Sequence, residues 1–389
     1  MMTYAHRQDI FDADSHMMEP ADWLARFAAP AVREALAPYL EGDNHAHERL
    51  AAAEQARQAR KIDPTLAQSA DDAFMSMRYK GFEALGAWDR EERRHVNDLL
   101  GFQESLMFPT TAFNQVLASP SETVFHGAVT ALNHGLAHFC EGDPRLRASA
   151  YIPLGAGPQR ALEHLQEALH QGAGGVLIDT IAPQGGQSFT HPSYDVFWAA
   201  VEASGLPLLL HVGVNGGYYD PVPASFYANG RKVPEPKAGD APRDALAYMS
   251  IGYNAQLFLS AMIFDGVLDR FKGLRIGVVE LGAVWFASWV RQLDQAHRAF
   301  KRLQDLPELA RVPSAYAYER IKITPFAGEP IGWMLAQDMD EVLMFASDYP
   351  HHEGTDDPIG RFERAMPEAT GRQKDRFYRD NYKALFALS

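Results

Sequence analysis

Eight short apolar runs recur along the 389-residue chain, with segments of helical period between them. The runs are Ile10–Ala13, Ser105–Phe108, Ala148–Ile152, Gly175–Ile178, Leu206–Leu210, Arg275–Val279, Arg320–Ile323 and Val342–Ala346. Each has the length of a strand buried on both faces, and most are led by Val, Ile, Leu or Phe. The helical segments include Glu122–Phe139, Pro158–Gln171, Tyr194–Ser204, Asp244–Phe271, Val284–Leu303 and Pro330–Gln337. Strand–helix alternation eight times over predicts an α/β fold, a (β/α)8 TIM barrel. An open doubly wound sheet is the alternative, but no G-x-G-x-x-G follows the first run to support it. The polar stretch 41–72 carries a helical period from His45 to Lys61 and stops before Asp63-Pro64. Residues 41–80 are therefore expected as a helical insertion after the first strand, within one domain spanning 1–389.

Chemistry in such a barrel sits at the C-terminal ends of the strands. The first run leads to Asp14 and His16, two apart, a spacing that points both side chains to one face of an extended segment. The fourth run leads to Asp179, the fifth to His211, the sixth to Glu280, the seventh to Thr324 and the eighth to Ser347-Asp348. Taken singly, each has a structural reading: an Asp before Tyr-Pro forms turns, and a His after a Leu run packs in a core. Taken together, Asp14, His16, His211 and Asp348 converge on one mouth. Two imidazoles and two carboxylates make a nitrogen–oxygen site for one divalent ion, zinc first and manganese as the alternative.

The net charge of −14 and the lack of a dense Lys/Arg run argue against a nucleic-acid partner. No uninterrupted apolar run reaches membrane-spanning length. Arg7 and Asp9 interrupt the N-terminus, unlike a signal peptide. A single cysteine, Cys140, excludes an intramolecular disulfide and fits a reducing, cytoplasmic setting.

Several motifs, in order along the chain, carry a family resemblance: Asp12-Ala13-Asp14-Ser15-His16 with Glu19-Pro20, Trp88-Asp89-Arg90, Leu206-Pro207 leading to His211-Val212-Gly213, Ser347-Asp348-Tyr349-Pro350-His351, and Asn381-Tyr382-Lys383-Ala384-Leu385-Phe386. The chain resembles the amidohydrolase superfamily, in the amidohydrolase-related branch that includes aminocarboxymuconate-semialdehyde decarboxylase and the metal-dependent aromatic acid decarboxylases. The resemblance implies a barrel enzyme with a divalent metal, no organic cofactor, a small carboxylate substrate and a homodimer. It assigns Asp14 and His16 to the first-strand ligand pair, His211 to the fifth-strand ligand, and Asp348 to an aspartate that both ligates and transfers protons. At the end of strand six, many of these decarboxylases carry histidine, whereas this chain carries Glu280. That glutamate reads as a base, a ligand or the partner of a basic residue.

Two reactions suit one such site. The first is non-oxidative decarboxylation of an aromatic or unsaturated acid, with Asp348 as proton donor and Glu280 as a second catalytic group. The alternative is hydrolysis of a lactone, ester or amide, with Asp348 taking a proton from water. A metal-free binding protein on the same scaffold is a third reading, which the intact ligand set opposes. The loop 213–242 is long for a βα connection and reads as a lid, or as a contact between copies. Tyr218, Tyr219 and Arg231 there, with His351 near Asp348, are the candidate substrate contacts. His134 and His138 share a helical face, but Gly135 stands where a zinc helix of the H-E-x-x-H kind needs Glu, so a surface role is expected. Asp179 is expected in a turn, and Trp285 and Trp289 in packing.

Overall fold

Seven of the eight apolar runs become strands of one parallel sheet. The computed structural model describes residues 3–6, 9–36, 38, 45–180, 186–214, 222–232, 242, 244–352 and 354–389. The chain begins with β1 (Phe11–His16) and five helices, α1 (Trp23–Phe27), α2 (Pro30–Arg33), α3 (Ala46–Ile62), α4 (Pro64–Phe74) and α5 (Arg90–Leu100). Next come β2 (Glu104–Phe108), α6 (Thr111–Leu117), α7 (Glu122–Cys140), β3 (Leu146–Ile152), α8 (Pro158–His170), β4 (Gly175–Ile178), α9 (Asp195–Ser204) and β5 (Leu208–His211). Helices α10 (Ala245–Ser250), α11 (Tyr253–Phe264) and α12 (Val267–Arg270) lead to β6 (Ile276–Val279). Then follow α13 (Phe286–Phe300), α14 (Pro313–Arg320), β7 (Ile321–Ile323), α15 (Ile331–Leu335), α16 (Pro358–Ala365), α17 (Gly371–Asp375) and α18 (Asn381–Phe386). No helix among the described residues is long and apolar enough to cross a membrane.

The strands pair in strict sequence order, β1 to β7. This order has no reversal point, which rules out the doubly wound alternative. The expectation of eight regular strands is corrected: run 342–346 forms only isolated bridges, Ile323↔Leu343 on one side, with Ser15↔Tyr349 just beyond it on the other. Its backbone still bonds both ends of the sheet. Ile323 N donates to Val342 O at 2.8 Å and Met344 N to Ile323 O at 2.9 Å. On the β1 side, Ala13 N donates to Phe345 O at 3.0 Å, and His16 N to Tyr349 O at 2.7 Å. A regular ladder fails because Phe345 N is diverted to Phe377 O and Asp348 adopts a left-handed φ of 53°. The single helix read over 244–271 is likewise three helices. Gly266, at φ 69°, ends one of them, and a Cβ at Gly252 would lie 2.7 Å from Trp285 Nε1.

Side-chain alternation sorts the strands into two layers. In β5, Leu208 and Leu210 face the helical layer while Leu209 and His211 turn inward; in β6, Ile276 and Val278 face out while Gly277 and Val279 face in. The inner layer is stoppered by α18, whose Tyr382, Leu385 and Phe386 pack with Phe11, Leu209 and Val279. Phe11 and Tyr382 place their ring centroids 5.2 Å apart. Asn381 Nδ2 holds the helix to Leu343 O at 2.7 Å, and Arg275 Nε donates to Leu385 O at 2.7 Å.

Lys322 is the inward residue of β7, between outward Ile321 and Ile323. Its Nζ donates to Glu341 O at 2.7 Å, and burial pushes its ammonium pKa down to about 8. Between about pH 8 and the ordinary lysine value of ~10.4, the unfolded chain binds the extra proton, so this group's contribution to stability rises with pH. Below pH 8 the full cost of the buried charge applies, on the order of 3 kcal/mol. Lys322→Met is expected to melt a few degrees higher than wild type at pH 7, with the gap closing between pH 8 and 10. A variant that melts lower at pH 7 refutes this account.

Candidate metal and catalytic site

β1 ends with a register shift between Asp12 and Ser15 that re-aims its last residues. Asp14 and His16 then meet His211 from β5 and Glu280 just past β6. One ligand atom from each of these four lies within 4.8 Å of the others. His16 Nε2 is 3.1 Å from Asp14 Oδ1, 3.7 Å from Asp348 Oδ1 and 4.0 Å from Glu280 Oε2. His211 Nε2 lies 3.5 Å from both Asp14 Oδ1 and Glu280 Oε2. A second group of four, His16, Glu280, Asp348 and His351, meets the same 4.8 Å limit.

The electrostatics follow from burial. Desolvation pushes His16 down to about 3, with His351 adding to the fall, so its imidazole is neutral at pH 7. Neutral imidazole is the form that ligates metal. Burial alone would raise the Asp14 carboxyl, but His16 and His211 outweigh it and hold the group below the usual carboxylate range. His16 Nε2 is buried and makes no hydrogen bond. Its ring is held from behind, with Nδ1 3.3 Å from Thr110 Oγ1. His211 Nδ1 lies 2.8 Å from Val212 O, which leaves Nε2 aimed at the carboxylates. Such partners fix the tautomer of a metal-binding histidine. Three carboxylates packed around the neutral His16 and around His211 need a cation for charge balance, so the donor set fits a divalent ion.

The surrounding backbone is fixed by other buried groups. Glu280 and Asp348 both occupy the left-handed region, at φ 54° and 53°, a costly conformation for residues with side chains. Glu280 N donates to Thr324 Oγ1 at 3.0 Å and Asp348 N to Asp14 O at 2.9 Å, and these bonds hold them there. Asp12 accepts from Ser347 N at 2.8 Å and Ser347 Oγ at 2.6 Å; burial pushes its carboxyl up to about 8. Glu19 accepts from Thr110 N, Thr111 Oγ1 and Ala112 N, all at 3.0–3.2 Å. Glu329 likewise accepts from Ala283 N, Val284 N and Phe326 N.

The amidohydrolase family profile matches residues 22–388. The chain belongs to the amidohydrolase family. Asp14 and His16 precede the matched stretch, yet they meet His211 and Glu280 in space. No curated protein sequence matches this amidohydrolase significantly. Among solved structures, an amidohydrolase from Mycobacterium avium subsp. paratuberculosis is 18% identical with a TM-score of 0.71, covering 98% of this chain and 99% of that one. A 5-carboxyvanillate decarboxylase from Novosphingobium aromaticivorans, complexed with manganese and 4-hydroxy-3-methoxy-5-nitrobenzoic acid, is 17% identical at TM-score 0.61, covering 98% and 97%. A dihydroxybenzoic acid decarboxylase from Polaromonas, with manganese and the inhibitor 2-nitroresorcinol, is 17% identical at TM-score 0.62, covering 98% and 97%. At these identities the likeness is one of fold.

The other sequence candidates fall in different places. His351 is 1% exposed and lies behind Asp348, with Nδ1 3.1 Å from Asp348 Oδ1 and its ring stacked 3.7 Å from that of His16. Arg231 is exposed and bonds locally to Asn229 Oδ1. Tyr218 and Tyr219 lie outside the described residues. Asp179 accepts from Tyr151 Oη at 3.0 Å and Gly155 N at 3.3 Å, and so braces a turn. His138 pairs with Glu141 on the surface, and His134 packs on Phe27. Trp285 and Trp289 pack edge to face at 5.5 Å.

Three residues of the amidohydrolase site escaped the sequence reading. Thr110 also places Oγ1 2.8 Å from His351 Nε2, bridging two imidazoles. It stands two residues past the second apolar run, where a polar residue at a strand end was a readable signal. Glu329 had no such signal, because two of its three partners, Ala283 and Val284, lie on a different loop. Arg93 is fully buried on α5, at helical spacing from Val96, Asn97 and Leu100, so a charge on an otherwise buried face was visible. Its guanidinium donates to Gly86 O at 2.7 Å, Ser15 Oγ at 3.0 Å and His16 O at 2.7 Å. Arg93→Met should therefore cost roughly 2–4 kcal/mol in urea unfolding, because three buried acceptors lose their donor. An unchanged midpoint would show that Arg93 does not brace the β1 end.

Proposed function

We propose that this amidohydrolase is a metal-dependent, non-oxidative decarboxylase of an aromatic or unsaturated carboxylic acid. One observation carries the reading: a buried nest of donors gathers at the strand ends, and one carboxylate in it faces outward. The Asp348 side chain is 14% exposed, against 1% for Asp14 and 7% for Glu280. Asp14, His16, His211 and Asp348 would hold the ion together with Glu280, Asp348 serving as both ligand and proton-transfer group; the ion supplies Lewis acidity and offsets the substrate's charge. Three carboxylates around two imidazoles make an oxygen-rich set, so manganese now stands ahead of zinc. The manganese-bound decarboxylases of like fold support this choice.

The chain's own groups then act in order. The mouth orients the substrate so that the carbon bearing its carboxylate faces Asp348. Asp348, protonated, delivers its proton to that carbon. The bond to the carboxylate breaks, CO2 leaves, and the electron pair returns to the ring or alkene. Asp348 is left as a carboxylate, 3.1 Å from His351 Nδ1, and regains its proton from solvent. The reaction needs no organic cofactor. Hydrolysis is the second reading, and Glu280 favours it: a carboxylate in place of the imidazole can take a proton from water.

The finer architecture goes with this reading. Segment 342–349 serves as the irregular eighth strand of a closed barrel, and helices α3 and α4 as a helical insertion after β1. The whole chain acts as one domain, in a reducing cytoplasmic setting suited to buried Cys140. A homodimer is proposed from the apolar stripe on α10 and α11: Leu246, Met249, Tyr253 and Leu257 are 38%, 68%, 51% and 71% exposed. A monomer at micromolar concentration in sedimentation equilibrium removes the dimer from this reading.

The deciving experiment pairs elemental analysis with a substrate panel. About one metal per chain is expected, lost in His16→Ala and retained in Asp348→Asn. The wild type should release CO2 from hydroxybenzoates or muconate-type acids, and Asp348→Asn should slow this at least ~100-fold. Acid release from lactones or amides without CO2 moves the assignment to hydrolysis. A protein that binds neither zinc nor manganese ends both readings.

A further inference from the structure

A cleft of about 420 Å³ lies between the α3–α4 hairpin and the segment 77–88, apart from the metal-ligand nest. Its floor is apolar and buried: Phe74, Met77, Phe82, Leu85 and the ring of Tyr349 are all under 10% exposed. The hairpin does not collapse onto this floor, because ion pairs hold it to α5 along one edge. Arg57 pairs with Asp89, Arg60 with Glu92 at 2.7 Å, and His95 with Asp71 at 2.7 Å. Between these struts the hairpin presents mainly alanines, which are too short to fill the gap. The volume falls within the ~300–1,000 Å³ of small-molecule pockets, and an apolar cavity of ~150 Å³ already holds benzene.

We propose that this cleft is a binding site for an uncharged aryl or alkyl molecule. Size and polarity point that way. Arg60, the one cation among the described lining residues, spends Nε and Nη2 on Glu92, while exposed Glu83 at the lip disfavours an anion. The floor adjoins the candidate catalytic machinery through Tyr349, which follows Asp348. Tyr349 stands edge-on to Phe74 at 5.6 Å, lies 5.2 Å from the Arg93 guanidinium, and ties its hydroxyl to Leu85 O at 2.6 Å. A molecule in the cleft therefore rests on the chain that carries Asp348. The site stands on its own walls and does not require the decarboxylase reading.

The test uses the full chain and the neutral fluorescent probe N-phenyl-1-naphthylamine. Saturable binding at one probe per chain is expected. Ala73→Phe on α4 and Ala56→Leu on α3 both add bulk inside the cleft, and each should weaken binding at least tenfold. Circular dichroism and melting curves confirm that the variants remain folded. In displacement, naphthalene-2-methanol should act at least tenfold more strongly than 2-naphthoate or 2-naphthylmethylammonium. Absence of saturable binding, or wild-type affinity in both folded variants, overturns the site. Stronger displacement by either ion overturns its assignment to uncharged molecules.

Discussion

Charge burial is the constraint on which this molecule turns. Asp14, Glu280 and Asp348 crowd around His211 and around His16, whose imidazole burial keeps neutral. Like charges this close repel, and desolvation adds to the cost. Such an arrangement lasts only where the backbone cannot relax away from it. Here the restraint is distributed. The sheet delivers Asp14, His16 and His211, Arg93 grips the end of β1, and Glu19 and Glu329 gather loop amides on opposite sides of the mouth. Free energy released in packing the core is thus used to hold groups that would separate in water.

The same constraint explains the irregular segment after β7. A regular eighth strand would alternate its side chains and spend its amides on the ladder. Instead, the chain bonds to β7, crosses to β1, and turns left-handed at Asp348. Ser347 is then free to bind Asp12, while the Asp348 side chain reaches the edge of the site. Regularity is given up where the chemistry sits, as is common at functional positions.

Much of this was legible in the sequence because periodicity reports burial. Alternation in β5 and β6 sends Leu209 and His211 inward, and reading a polar residue at each strand end found Asp14, His16, His211, Glu280 and Asp348. What stayed hidden depends on partners far away along the chain. Nothing local distinguishes Glu329, whose acceptors serve amides some 45 residues earlier, at Ala283 and Val284. The need for glycine at 252 is likewise set by Trp285 across a packing interface, and the loss of strand order at Phe345 by Phe377. Local pattern predicts which face a residue shows; it does not say which distant group will meet it.

The strand-six end has a final consequence. Glu280 sits in a left-handed turn whose amide is held by Thr324 and whose following amides are held by Glu329. None of these bonds uses the Glu280 side chain. The left-handed turn at position 280 is therefore anchored by Thr324 and Glu329, and the carboxylate it presents meets His16 and His211. An anion at this point sets the charge of the nest, because its carboxylate lies within 4.0 Å of both imidazoles. The charge of the nest is thus written at a turn whose shape is secured from outside it.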